Sequence, residues 1–74
     1  MTPPLPRGLS GQAVARALQR GGFEFVSSRG SHHKYRDAAG HVVIVPMHRE
    51  LAPGTLRSIL RQAGWDVDTL QSHL

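Results

Sequence analysis

The sequence contains no cysteine, which excludes disulfide stapling and thiolate zinc sites. It holds no apolar run of the length that a membrane span requires. Its opening residues, MTPPLPRGLS, are proline-rich and lack the apolar stretch of roughly seven residues that a signal peptide uses, so the cytoplasm is the expected compartment. Acidic residues are scarce, with five Asp and Glu against nine Lys and Arg, a formal net charge of +4. Lysine is scarcer still: Lys34 stands alone beside eight arginines. The planar guanidinium fork binds phosphate at two points, so this balance favours a polyanionic partner such as nucleic acid. G+C-rich coding also enriches arginine and alanine, and charge alone does not decide between these origins. With 74 residues there is room for one core. Cores of this size supply about 3–5 kcal/mol, so support from an oligomer or a partner chain is expected.

Residues 1–8 read as a flexible arm, because three prolines in six residues disfavour helix and offer little to bury. The remaining residues, 9–74, form a single domain. Ser10 is placed to cap a helix over about 10–20, with Ala13, Val14, Ala17 and Leu18 at three- and four-residue spacing and Gly21-Gly22 to end it. Phe23–Ser28 and His32–Arg36 suit short strands, and His41–Val45 is the clearest strand, with four β-branched residues in a row before Pro46. Asp37-Ala-Ala-Gly40 matches a hairpin loop joining the last two as antiparallel neighbours. Pro53 and Gly54 open a second helix whose Leu56, Ile59, Leu60 and Ala63 make one apolar stripe, and Gly64 stops it. Asp66 would cap one more short helical turn, with Trp65 folded back as a plug. The predicted class is therefore α+β, in the order α-β-β-β-α: a three-stranded antiparallel sheet with its helices on one face.

Two adjacent histidines open the middle strand. Side chains alternate along a strand, so His32, Lys34 and Arg36 project to one side and His33 and Tyr35 to the other. Tyr35 is the bulky amphipathic member and is expected on the helix-covered side with His33, which leaves His32 on the open face. Zinc without cysteine would need His32, His41 or His48 gathered with an acid such as Glu50, and no HExxH or comparable spacing occurs, so neither metal nor cofactor is expected. The bland alternative is that both histidines are ordinary half-buried strand residues. Two features argue for chemistry at His32. Gly30 and Ser31 make a small-residue turn that lets a phosphate approach, and Arg29, Lys34 and Arg36 surround the imidazole with cations. Imidazole exchanges protons near neutral pH, and RNA cleavage requires the 2′-hydroxyl to lose one. The cations would stabilise charge on the phosphorane-like transition state.

At this point the chain resembles the HicA family of bacterial toxin-antitoxin systems. The resemblance rests on Gly22-Phe23, on Gly30-Ser-His-His-Lys-Tyr35, on Val42-Val-Ile-Val-Pro46 followed by His48, and on Pro53-Gly-Thr-Leu-Arg-Ser-Ile-Leu-Arg-Gln-Ala-Gly64. It covers about residues 9–70. It implies a fold similar to a double-stranded-RNA-binding domain and a metal-independent mRNA interferase activity. His32 falls at the position of the family's catalytic histidine, and Arg29, Gly30, Ser31, Lys34 and Arg36 would then hold RNA. The resemblance also implies a HicB-type antitoxin partner that covers the active site, beside mRNA as substrate, in a toxin-antitoxin hetero-oligomer or a homo-oligomer. Of Val42, Val43, Ile44 and Val45 only one alternate pair can enter the core; the other needs such a partner or the stems of Lys34 and Arg36 as cover. A non-catalytic double-stranded-RNA-binding module is the rival reading, although so short a chain has little reach across two minor grooves. A DNA-binding protein is weaker, since neither helix shows helix-turn-helix spacing.

Overall fold

The computed structural model describes residues 3–74, so the first two residues of the expected arm lie outside the described residues. Ser10 accepts a hydrogen bond from the Ala13 backbone N–H at 3.0 Å and starts α1, Gly11–Arg20. Three strands follow, β1 (Glu24–Arg29), β2 (His32–Arg36) and β3 (Val42–Pro46), then α2 (Pro53–Ala63) and α3 (Val67–His73). The sheet is an antiparallel meander in the order β1-β2-β3. Helices α1 and α2 pack on one face of it, and α3 packs on α1. This is the α+β architecture expected from the sequence, with strand limits shifted by one residue in β1 and β3.

The core follows the helical stripes and one face of the sheet. Val14 and Leu18 of α1, Leu56 and Ile59 of α2, and Val43 and Val45 of β3 are all buried. Tyr35 joins them from β2, while His33 beside it is half-buried. Alternation thus sends Tyr35 and His33 to the helix side and leaves His32, Lys34 and Arg36 exposed on the other.

Helix α3 is longer than the single turn expected. Val67 and Leu70 are both buried, the Asp66 carboxylate accepts from the Thr69 N–H at 2.8 Å, and Arg20 of α1 donates to the His73 carbonyl at 2.9 Å. An apolar pair, a cap and a closing bond at the far end sustain two turns where composition alone signalled one. Trp65 does fold back, edge-on to Phe23 at 5.9 Å between ring centroids and stacked on His73 at 5.0 Å. In the arm, residues 3–8 form no helix or strand, and Leu5 packs against the core.

One departure from simple alternation decides which side chains share the open face. Phe25 pairs with Tyr35, but the next pair is Ser27 with Lys34, so Val26 is an extra residue in β1. Such a β-bulge shifts every later residue of its strand to the opposite face. Arg29, five residues after Glu24, would otherwise point to the helix side. With the bulge it pairs with His32, and Glu24 pairs with Arg36, on the open side.

Candidate functional site

The site is built on the open face of the sheet at its Gly30-Ser31 end. Gly30 and Ser31 are the two loop residues between the paired Arg29 and His32. Gly30 has φ +57°, and no non-glycine residue among those described has positive φ, the pattern of a type II′ turn, whose first position favours glycine. The Ser31 carbonyl accepts from the Met47 N–H at 2.7 Å, extending the β2–β3 pairing past Pro46.

Arg29, His32 and Lys34 line one shallow depression of about 530 Å3, together with Ser27, Ser28 and Ile44. All three ionisable residues are exposed. Arg36 does not line this depression. It stands at the other end of β2, opposite Glu24 and Val42, in a second concavity with Asp37 and Gly40. Of the three cations expected around His32, Arg29 and Lys34 share its depression, while Arg36 stands two residues further along β2 than Lys34. Glu24 is likewise remote from His32, paired across the sheet with Arg36. On the same face Ile44 is half-buried beside Lys34, whereas Val42, beside Arg36, keeps 42% of its surface exposed.

The five histidines separate into two groups by their surroundings. The His41 ring is bonded to the Asp37 carboxylate at 2.8 Å, and the same carboxyl accepts from the His41 N–H at 2.8 Å. Local desolvation raises the Asp37 carboxyl, but the bonds and charge from His41 outweigh it and hold the group below its ordinary value. The His73 ring nitrogen bonds to the Thr69 carbonyl at 2.8 Å and stacks on Trp65. His33 lies against Phe25 and Tyr35, with ring centroids 5.5 Å and 6.5 Å away. These three are occupied structurally. His32 and His48 are exposed, and neither ring is hydrogen-bonded to the described residues. They stand next to each other, 6.5 Å between centroids and at a steep 73°.

This neighbour comes from β-sheet parity carried beyond the sheet. His32 pairs with Pro46, and the Ser31–Met47 bond keeps the register for one more residue, so His48 returns to the side of His32. Its backbone is pinned there, because the His48 carbonyl accepts from the Gly11 N–H at 2.9 Å. Among the described residues no three His, Cys, Asp or Glu side chains converge as metal ligands. What the arrangement offers is a pair of open imidazoles at the end of a cationic hollow, groups able to move protons beside a bound anion.

Together these features describe a small basic α+β domain with exposed imidazoles and cations on an uncovered sheet face, and the family comparison places it among toxins of bacterial toxin-antitoxin systems. The match is to the family model of the HicA toxin and spans residues 11–65, from the start of α1 to Trp65. The chain belongs to the HicA toxin family. No curated protein gives a significant match to the chain.

Proposed function

We propose that this toxin is a metal-independent RNA endonuclease, an mRNA interferase in which His32 exchanges the proton of the attacking 2′-hydroxyl. The observation that carries the reading is the placement of His32 on the open sheet face, in the same hollow as Arg29 and Lys34, with Arg29 brought there by the Val26 bulge. The Gly30-Ser31 turn at the rim leaves room for a ribose-phosphate chain to reach the imidazole. Arg29 and Lys34 neutralise the phosphate and the charge that builds up on it, and Arg36 holds the strand further along. The 2′-oxygen attacks the adjacent phosphorus, the bond to the 5′-oxygen breaks, and a 2′,3′-cyclic phosphate and a 5′-hydroxyl result.

An antitoxin of the HicB type is the protein partner in this reading. The open face presents Val42 and Ile44 among the cations, and a partner that covered it would bury apolar surface and close access to His32 together. Both partner and substrate belong to the cytoplasm; no helix among the described residues is long and apolar enough to cross a membrane.

The reading is tested with the rival in the same experiment. The protein is mixed with a single-stranded and a duplex RNA of the same sequence, and both binding and scission are followed. Cleavage of the single strand in the presence of a chelator supports the proposal. Tight duplex binding without scission supports a non-catalytic double-stranded-RNA-binding module instead.

A further inference from the structure

Of the five histidines, only His32 and His48 have rings that are exposed, adjacent and free of hydrogen bonds to the described residues, and the cleavage moves two protons, one onto a base and one from an acid. We infer that His48 is the second proton-transfer residue of the site, the acid that protonates the departing 5′-oxygen. The inference rests on the endonuclease reading above and adds to it a residue and a role.

The geometry suits an in-line displacement. The attacking and leaving oxygens sit on opposite sides of phosphorus, so a base and an acid must address it from two directions. Two hydrogen bonds of about 2.8 Å, one to each oxygen, place the imidazole nitrogens on the order of 6–9 Å apart. The centroid separation of 6.5 Å is compatible with a phosphate between the rings, and it is too long for the rings to bond one another. His32 lines the hollow with Arg29 and Lys34, where the phosphate oxygens and the attacking 2′-hydroxyl are held. His48 does not line it. It lies beyond the end of the sheet, past His32 from Lys34, and in this proposal the outgoing 5′-oxygen faces that side.

The protein holds this residue with unusual care for a loop position. Pro46 ends β3, the Met47 N–H is bonded to Ser31, and the His48 carbonyl is bonded to the first residue of α1. The Leu51 N–H is bonded to Leu9 on the far side of the same segment. Met47, His48 and Leu51, on one short connection, are therefore tied to the β1–β2 turn, to α1 and to the segment before it. The backbone that carries the ring is thus positioned before substrate arrives, which favours an acid poised for one oxygen.

Written out, the 2′-hydroxyl gives its proton to His32 as the 2′-oxygen bonds to phosphorus. The phosphorus–5′-oxygen bond then breaks with its electron pair on oxygen, which takes a proton from the His48 imidazolium. The pair finishes with His32 protonated and His48 neutral, and solvent exchange resets both. No further reactant is needed.

The test separates a general acid from a merely structural histidine. An RNA oligomer is prepared with the 5′-bridging oxygen at the mapped cleavage position, and a second with sulfur there, whose thiolate departs without a proton. His48→Ala is expected to lose about 100-fold or more on the oxygen substrate and less than about 10-fold on the sulfur one, while His32→Ala loses comparably on both. His48→Gln, which can donate a hydrogen bond but cannot transfer a proton, is expected to follow His48→Ala. Equal losses by His48→Ala on the two substrates, no loss at all, or full activity in His48→Gln overturn the inference while leaving the endonuclease reading intact. Failure of the unaltered protein to cleave either oligomer overturns both. The His48 ring is exposed and unbonded, so the substitutions leave folding undisturbed, and matching thermal unfolding curves verify it.

Discussion

Replacing Gly11 by alanine perturbs both the fold and the placement of the site, and its cost can be worked from the structure. Gly11 is the first residue of α1 and is buried against the end of β3. An added Cβ would overlap the Pro46 carbonyl oxygen and stand 2.9 Å from Met47 Cα. Both are backbone atoms, so no side chain can swing aside, and the strand end must retreat by on the order of 1 Å to restore ordinary contact. Overpacking of this kind costs about 1–3 kcal/mol. The retreat also stretches the Gly11–His48 and Met47–Ser31 hydrogen bonds, each contributing about 1 kcal/mol. Against this, alanine restricts the unfolded chain and returns about 0.4–1 kcal/mol. The net loss is about 2–3 kcal/mol, most of what a core of this size supplies, and in a domain of this length it lowers Tm by roughly 10–20 °C. Gly54 provides the control on the same scale. It lies in the first turn of α2 with negative φ and nothing within 4 Å of an added Cβ, so Gly54→Ala should raise Tm by roughly 2–8 °C. Thermal unfolding followed by circular dichroism reads both. A Gly11→Ala protein that melts with or above the parent, beside a stabilised Gly54→Ala, would refute the packing argument and with it the account of how His48 is held.

Other outcomes follow from the core and the charged caps. Leu18 is fully buried in α1, so Leu18→Ala should cost about 2–5 kcal/mol and leave the chain largely unfolded at 37 °C; a cooperative melt within 5 °C of the parent contradicts this. Asp66 is held below its ordinary value by the backbone and hydroxyl bonds from Thr69, and Asp37 is held low by His41. Lowered carboxyl groups stabilise the fold fully above the ordinary carboxylate range and lose that contribution as pH falls through their folded values. The acid limb of the Tm–pH curve, from about pH 4 downward, should therefore flatten in an Asp37→Asn, Asp66→Asn double variant, and an unchanged limb would show that these bonds do not govern it.

Much of this molecule is legible from residue order. The apolar spacing of α1 and α2, the β-branched run of β3 and the capping residues Ser10 and Asp66 are local signals, and the structure follows them within a residue or two. Strand parity places Tyr35 inside and His32 outside, because β2 itself carries no bulge and keeps its period of two. The Val26 bulge has no such signal: Phe25-Val-Ser-Ser reads as an ordinary strand, and the extra residue appears only once β1 must match β2. Without it Arg29 would be assigned to the wrong face. His48 is a similar case. Its residue type marks it as a proton-transfer candidate, but its position depends on a bond between Ser31 and Met47 and another from Gly11, contacts separated by up to 37 residues that no local pattern reports. The second turn of α3 also depends on distant partners, Arg20 above all.

In the proposed reaction the exposed imidazole of His32 moves the proton that starts RNA cleavage. Single-turnover cleavage of a single-stranded RNA by the parent protein and by His32→Ala, with product ends identified by mass, tests it most directly. The parent should give 2′,3′-cyclic phosphate ends, and the variant, still folded and still binding the RNA, a rate at least about 100-fold lower. Parental cleavage by His32→Ala, or 3′-hydroxyl ends from the parent, would contradict it.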